Sequence, residues 1–330
     1  MALMHRRQRI PKEVVFLCRT NCAIVRFCST YCFVDILDFC NNIIFGQLLT
    51  FKNIMITASI VIYNSSKEDI QTVVTCAANS SVNTIYVIDN APNDSKREFV
   101  QSLSKKVVYI QGHGNVGYGA AHNIAIREVV RNGAKYHLVL NPDIEFALGT
   151  VEALRNYMEV NPNAGQIMPK IVSPDGKQQY LCKLIPTPFD LILKRFLPSK
   201  TTEKRADKFQ LKFTGYDKTM NVPYLSGCFM FFRVSALNEI GFFDERFFMY
   251  PEDVDITRRM HEKYATLFYP NVEVVHTHAA ESLTSLRMLR IHIVNMIRYF
   301  NKWGWFFDKK RREINKQILK ELHYNKKNQP

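Results

Sequence analysis

Residues 112–123 read GHGNVGYGAAHN. Within them Gly112, Gly114 and Gly117 meet the G-x-G-x-x-G spacing of dinucleotide-binding folds. An apolar run, KVVYIQ, comes before and a helix-like run, AAHNIAIREVV, comes after, which is the strand, turn and helix context the fingerprint needs. The same glycines could instead supply positive φ to a tight turn. The order of the neighbouring elements decides between the two.

Upstream, ITASIVIYN and TIYVIDNAPND are apolar runs with polar ends, and KEDIQTVVTCAAN and SKREFVQSLSK have helical spacing. Downstream, YHLVLNPDIEF reads as a fourth strand. Alternating strands and helices predict an α/β domain whose mainly parallel sheet is covered on both faces. Ligands of such sheets sit at the carboxyl ends of the strands. The residues to weigh are therefore Tyr63, Asn64, Asp89, Asn90, the glycine stretch, and Asn141 to Asp143.

Farther along, residues 171–222 are rich in Pro and Lys and read as a mobile excursion over the surface. Order returns with VPYLSGCFMFFR and FFDERFFMYPEDVDITRRM, then a strand ending VEVVHTH. A divalent cation on a diphosphate needs only one or two protein carboxylates, a role open to Asp143, which could otherwise cap a following helix. Glu252, Asp253 and Asp255 suit a helix start, where Pro fixes the first turn and acids favour the dipole. The aromatics before them would also wall off a pocket in which a carboxylate gains basicity. His276 and His278 alternate at a strand end, so only one can enter the site, and His276 is the candidate metal ligand or phosphate contact.

The 330 residues are 47% hydrophobic and carry 44 Lys and Arg against 30 Asp and Glu, a net charge of +14. Basic residues crowd both ends. From Arg287 onward they flank YFNKWGWFF, a pairing that suits an anionic membrane surface. No nucleic-acid module signature occurs, so no nucleic-acid partner is expected. Cys18, Cys22, Cys28, Cys32 and Cys40 form no C-x-x-C pair, and Cys76, Cys182 and Cys228 are scattered, as expected of reduced thiols in the cytoplasm rather than zinc or disulfide frameworks. Residues 1–54 start basic and turn apolar, but Arg19 and Arg26 interrupt the run. They read as a membrane-associating extension or as translation upstream of a true start at Met55.

Taken in order, IVIYN, VIDNAPND, NVGYGAAHN, LNPDI, YLSGCFMFFR, GFFDERFFMYPEDVD and VVHTH resemble a family 2 glycosyltransferase, closest to the rhamnosyltransferase-like branch of bacterial surface-polysaccharide synthesis. The resemblance spans Met55 to His278. It implies a GT-A fold, a nucleoside-diphosphate-sugar donor, a divalent metal (Mg²⁺ or Mn²⁺), and a single inverting displacement onto a saccharide or lipid-linked acceptor. Tyr63, Asn64, Asp89, Asn115, Gly117 and Asn141 would then hold the donor nucleotide. The family's D-x-D is here Asn141-Pro142-Asp143, which leaves Asp143, with His276, for the metal. Asp253 falls on the general base; Ser226, Gly227, Cys228 and Glu252 fall on the acceptor side, with Arg258 a contact to leaving-group or acceptor charge.

The order also answers the opening question. A nicotinamide fold places its glycine turn after its first strand, whereas here two strands with polar ends come earlier, so the stretch is read as a nucleotide-sugar loop. The expected organisation is an extension over 1–54, a GT-A domain over 55–280 and a basic amphipathic helical region over 281–330, peripheral at the inner face of the cytoplasmic membrane. A nucleotidyltransferase should grip phosphate just after the first strand, where IVIYNSSKED offers only Lys67. A non-catalytic nucleotide-sugar binder has no need of both Asp143 and Asp253.

Overall fold

A computed structural model describes residues 54–192, 199–277 and 286–324. The extension expected over the first 54 residues lies outside them but for Ile54, as does His278. The described residues from Ile54 onward form one compact unit.

The parallel half is as the pattern predicts. β1 (Ile56–Ile62), β2 (Thr84–Asp89), β3 (Val107–Ile110) and β4 (Tyr136–Leu140) alternate with α1 (Lys67–Ala78), α2 (Arg97–Ser102) and α3 (Tyr118–Arg131). β1 lies between β2 and β4, both parallel to it, with Ile60 opposite Val87 on one side and Leu140 on the other. Its side chains alternate between faces. Ile56, Ala58, Ile60 and Ile62 pack with Ile70, Val73 and Val74 of α1, while Val61 packs with Ala121, Ala125 and Val129 of α3. Thr57 and Ser59 face a buried polar chain instead. His137 Nδ1 and Nε2 each lie 2.8 Å from a hydroxyl, of Thr57 and Ser59, and His122 Nδ1 lies 2.7 Å from Ser59. Burial holds both imidazoles well below the ordinary histidine range, so they are neutral.

The second half departs from simple alternation. The expected fourth strand stops at Leu140, and its continuation β5 (Ile144–Phe146) pairs at the far edge. Pro142 has no N–H for a ladder, and the Asn141 N–H is already spent on the Cys228 carbonyl at 2.9 Å. Asp143 is therefore followed by a strand, and the helix cap it could have made does not form. After α4 (Thr150–Val160) and β6 (Ala164–Val172) come β7 (Cys182–Lys183), α5 (Pro188–Leu191), α6 (Ser199–Phe209), β8 (Met220–Asn221), β9 (Tyr224–Leu225) and β10 (Phe229–Arg233). α7 (Val234–Ile240), α8 (Glu252–His261), β11 (Ala265–His276), α9 (Leu286–Trp303) and α10 (Lys309–Glu321) complete the order. The main sheet runs β3-β2-β1-β4-β10-β6-β11-β5, with β8 on β11; β10 is antiparallel to both neighbours, so the sheet is mixed.

The excursion expected to be mobile is anchored in its described parts. Cys182, Leu184, Ile185, Leu211, Tyr216 and Val222 are buried, and the Tyr216 hydroxyl donates to the carbonyls of Cys182 and Gln210 at 2.8 and 2.7 Å. The Pro- and Lys-rich composition concealed these buried apolar residues and the helix α6. Among the described residues no helix is long and apolar enough to cross a membrane.

Candidate active site

The carboxyl ends of β1, β2 and β4 meet the start of β10 along one edge of the sheet. Tyr63 and Asn64 are exposed there. Asp89 is fully buried: it accepts from the Tyr109 hydroxyl at 2.6 Å and from the Ala91 N–H at 2.8 Å, so its carboxylate shapes the turn. Asn90 ties that turn to the glycine loop. Its Nδ2 donates to Asn115 Oδ1 at 3.3 Å and to the Gly117 carbonyl at 3.2 Å, and its Oδ1 lies 3.0 Å from His113 Nε2.

The three glycines differ. Gly112 and Gly114 hold positive φ with open space where a Cβ would stand, so they serve the turn. Gly117, at φ 91°, lies against the chain before α8: a Cβ there would fall 2.9 Å from Phe248 Cα and closer still to its carbonyl oxygen. The next residue, Tyr118, donates its N–H to that oxygen at 2.9 Å. Gly117 is thus needed for close approach of two chain segments, and its expected contact with nucleotide is secondary to that. Gly117→Ala should lower stability by about 2 kcal/mol or more, combining a backbone region essentially restricted to glycine with a backbone clash. Gly114→Ala should cost less, and urea unfolding of the two variants reads the difference.

Tyr118 joins the pieces of the site. Its hydroxyl lies 2.9 Å from both Asn141 Oδ1 and the Gly227 carbonyl. Burial, with the charges of Glu252, Asp253 and Asp143 around it, keeps the phenol protonated and a donor. Asn90 was among the strand-end residues to weigh but was assigned no contact, and Tyr118 was not singled out; an aromatic closing a glycine motif at a helix start was the available signal for Tyr118.

Beyond Asn141 the turn presents Asp143, whose Oδ2 lies 3.4 Å from His276 Nε2. β5 and β11 bring the two together by pairing Ile144 with His276. His276 Nδ1 lies 3.0 Å from Gln179 Oε1, and Gln179 Nε2 donates to the His276 carbonyl at 2.8 Å and to Ser173 Oγ at 3.1 Å. With Nδ1 donating to that amide oxygen, the Nε2 lone pair faces Asp143 and Asn141. One carboxylate and one oriented imidazole fit a divalent cation. Among the described residues no cluster of three or more His, Cys, Asp or Glu occurs, so such a cation would take its remaining ligands from phosphate and water.

The opposite wall is the start of α8. Pro251 occupies the cap position rather than the first turn expected of it. Asp253 accepts from the Gly227 N–H at 3.0 Å and the Val254 N–H at 2.7 Å. A Cβ on Gly227 would stand 3.1 Å from that of Asp253. Burial raises the Asp253 carboxyl above the usual range, against the opposing pull of Lys183 and the Gly227 N–H. Glu252 is raised more strongly by burial and by the Asp253 charge, so of the two Asp253 is the one that ionises first. Lys183 enters from the excursion, opposite Tyr224 in the β7–β9 pair and 4.8 Å from its ring.

Three expected positions are corrected. Arg258 meets no substrate charge, since it is buried and bound through both terminal nitrogens to Asp308 at 2.7 and 3.0 Å. Cys228 belongs to the apolar core, where burial pushes its thiol up to about 12. Glu252 is buried against Gly119, which leaves Ser226 as the half-buried residue of that expected acceptor set.

Residues 57–241, more than half of the chain, match the family model described as Glycosyl transferase family 2, and the match stops before α8. The chain is 29% identical over 213 residues to the N-acetylglucosaminyl-diphospho-decaprenol L-rhamnosyltransferase of Mycobacterium tuberculosis, covering 60% of this chain and 67% of that protein. It is 27% identical over 211 residues to the low-salt glycan biosynthesis hexosyltransferase Agl10 of Haloferax volcanii, covering 61% and 60%. In three dimensions it resembles GalNAc-T7, solved with UDP, GalNAc and Mn²⁺, with a TM-score of 0.57 and 16% identity over 82% of this chain and 57% of that one. TarS of S. aureus follows at 0.51 and 14%, over 83% of this chain and 45% of that one. The chain thus spans about half the length of these structures, and at such identities the likeness shows the fold, GT-A.

Proposed function

From the premise that this chain belongs to glycosyltransferase family 2, we propose that it moves a hexose, of rhamnose type, from a nucleoside-diphosphate sugar to a hydroxyl of a saccharide or lipid-linked acceptor in cell-surface glycan synthesis. The observation that carries the reading is that the Asp143–His276 pair and the buried Asp253 flank one residue, Tyr118, whose hydroxyl reaches the turns supporting both. The rhamnosyl and hexosyl relatives supply the sugar class, and the diphospho-decaprenol acceptor in the mycobacterial relative's name supports a lipid-linked one. We place the protein at the inner face of the cytoplasmic membrane, with 55–280 as the catalytic domain and 281–330 as its basic helical region.

In this reading Asp253 takes the proton from the acceptor hydroxyl as that oxygen bonds to the anomeric carbon. The bond from that carbon to the diphosphate breaks on the opposite side, its electron pair leaves with the diphosphate, and the configuration inverts. Asp143 and His276 would hold a divalent cation, Mg²⁺ or Mn²⁺, which when bound would neutralise charge on the departing diphosphate. Tyr63, Asn64 and Asn115 contact the nucleotide, with Asp89 and Gly117 shaping its seat and Asn141 beside the diphosphate. Ser226 meets the acceptor.

A thermal-shift series with UDP, dTDP, GDP, CDP and NAD, each with and without Mn²⁺ or Mg²⁺, tests the proposal. Stabilisation by one nucleoside diphosphate that grows with metal is expected; stabilisation by NAD alone would overturn it. Asp143→Ala should weaken the metal-dependent part of that binding by roughly tenfold to a hundredfold or more, since even a group one bond removed from a metal ligand commonly costs that much. An unchanged metal increment would remove Asp143 from the cation site.

A further inference from the structure

The aromatic and basic residues at the C-terminal end divide into two populations. One grips the catalytic side of the fold. Trp303 Nε1 donates to Asp255 Oδ1 at 2.8 Å, Lys302 pairs with Asp244 at 2.8 Å and also with Asp255, and Arg298 donates to the Arg246 carbonyl at 2.7 Å. Arg311 reaches the carbonyls of Pro186 and Trp305, and Lys310 pairs with Glu262 at 2.7 Å. These side chains, Lys302 and Trp303 of the YFNKWGWFF stretch among them, face inward or sideways onto the protein.

The other population is turned outward. Between α9 and α10 the chain makes an elbow at Gly304, and its tip carries Phe306 at 71% and Phe307 at 91% exposure. α10 buries Arg311 and Ile318. Lys309, Arg312, Lys316 and Lys320 are exposed and fall at i, i+3, i+7 and i+11, a single stripe along the opposite side. Glu313 is the carboxylate on that stripe, and Lys309 lies 3.7 Å from it with both side chains largely in water. Two adjacent, largely exposed phenylalanines cost free energy in water, and among the described residues neither joins a hydrophobic cluster. A stripe of cations running from them is complementary to one kind of surface, apolar beneath and anionic on top.

We infer that the α9–α10 elbow docks this protein on an anionic phospholipid bilayer, with Phe306 and Phe307 entering the acyl boundary and Lys309, Arg312, Lys316 and Lys320 meeting lipid phosphates. This deepens the membrane placement proposed above and names its surface. The same elbow is fastened to α8, because Asp308, next to Phe307, holds Arg258. Arg258 is five residues from Asp253 along α8, about 7.5 Å of helix rise. Docking there would set the active site at a fixed height above the lipid, within reach of a head group that carries the acceptor sugar.

The test is co-sedimentation of the full chain with phosphatidylcholine vesicles, with and without phosphatidylglycerol. Binding is expected only when phosphatidylglycerol is present. Two variants are compared with wild type: Phe306→Ser with Phe307→Ser, and Lys309→Gln, Arg312→Gln, Lys316→Gln and Lys320→Gln together. Each cation brought to an anionic surface is worth about fivefold in affinity, so the charge variant should bind at least ~100-fold more weakly, and the aromatic variant at least ~10-fold. All altered positions are exposed, so thermal unfolding should be unchanged. Transfer to a detergent-dispersed acceptor should persist in both variants, which separates failure of docking from failure of the catalytic proposal. Equal binding to both vesicle types, undiminished binding of both variants, or tighter binding to a single-stranded oligonucleotide than to vesicles would overturn the inference.

Discussion

Asp253→Asn should lower kcat for sugar transfer by roughly 10²–10⁴, while the affinity for nucleoside diphosphate and metal stays nearly that of wild type. The substitution is isosteric and removes the one property the role requires, an acceptor for the hydroxyl proton. The carbonyl oxygen of the introduced amide could still accept from the Gly227 N–H, but its NH₂ group would face the Val254 N–H that the carboxylate now accepts at 2.7 Å. That exchange strands a buried donor and costs about 1–3 kcal/mol of stability, less than the whole stability of a typical folded domain. The pH profile supplies an independent reading. Burial raises the Asp253 carboxyl, so wild-type kcat/KM should fall on the acid side at a pH above the ordinary carboxylate range, because the protonated acid cannot act as base. Activity is retained as pH rises past that point and lost as it falls. Residual activity of the variant should lack this limb. Normal turnover in Asp253→Asn, or an acid limb that does not depend on residue 253, removes the base from that position.

The reach of sequence reasoning follows the range of the interactions involved. The β1, β2 and β4 ends were legible because parallel strands separated by helices leave a local pattern, and the polar residues after IVI, VI and LVL stand where that pattern ends. The glycine loop was legible as a loop, but the reason for Gly117 was not, since Phe248 approaches it from more than a hundred residues away. β10 inserted between β4 and β6, and β5 moved to the far edge, for the same reason: alternation of apolar residues says that a strand exists and nothing of its neighbour. His276 could be placed at a strand end, yet its orientation depends on Gln179 in a segment that composition marked as mobile. Arg258 was misread as a ligand because a charged residue near a carboxylate-rich helix start looks available, and its partner Asp308 lies beyond a further strand and helix.

That partnership gives the largest stability effect expected in the molecule. The Arg258 and Asp308 side chains are 1% and 4% exposed and joined by paired hydrogen bonds. Burial alone would raise the Asp308 carboxyl, but the Arg258 guanidinium and the Arg311 N–H outweigh it and hold the carboxyl below its ordinary range. Asp308 also caps α10 by accepting that N–H at 2.8 Å. Asp308→Ala therefore leaves a buried guanidinium against the Trp303 ring, 3.9 Å away, with no carboxylate to answer it. Breaking a buried pair from one side costs about 3–5 kcal/mol, and loss of the cap adds about 1 kcal/mol. The unfolding free energy extrapolated from urea titration should fall by that amount, seen as a lower midpoint with little change in slope. Replacing both members with apolar residues, Arg258→Met with Asp308→Leu, should be less damaging than Asp308→Ala, because no charge is then stranded. Transfer should decline with stability in the single variant and recover in the double, since the pair acts on Asp253 through the seating of α8 rather than by touching substrate. A double variant as unstable as the single would mean that the cost lies in the lost Arg258–Asp308 bonds and the lost α10 cap, and not in a stranded charge.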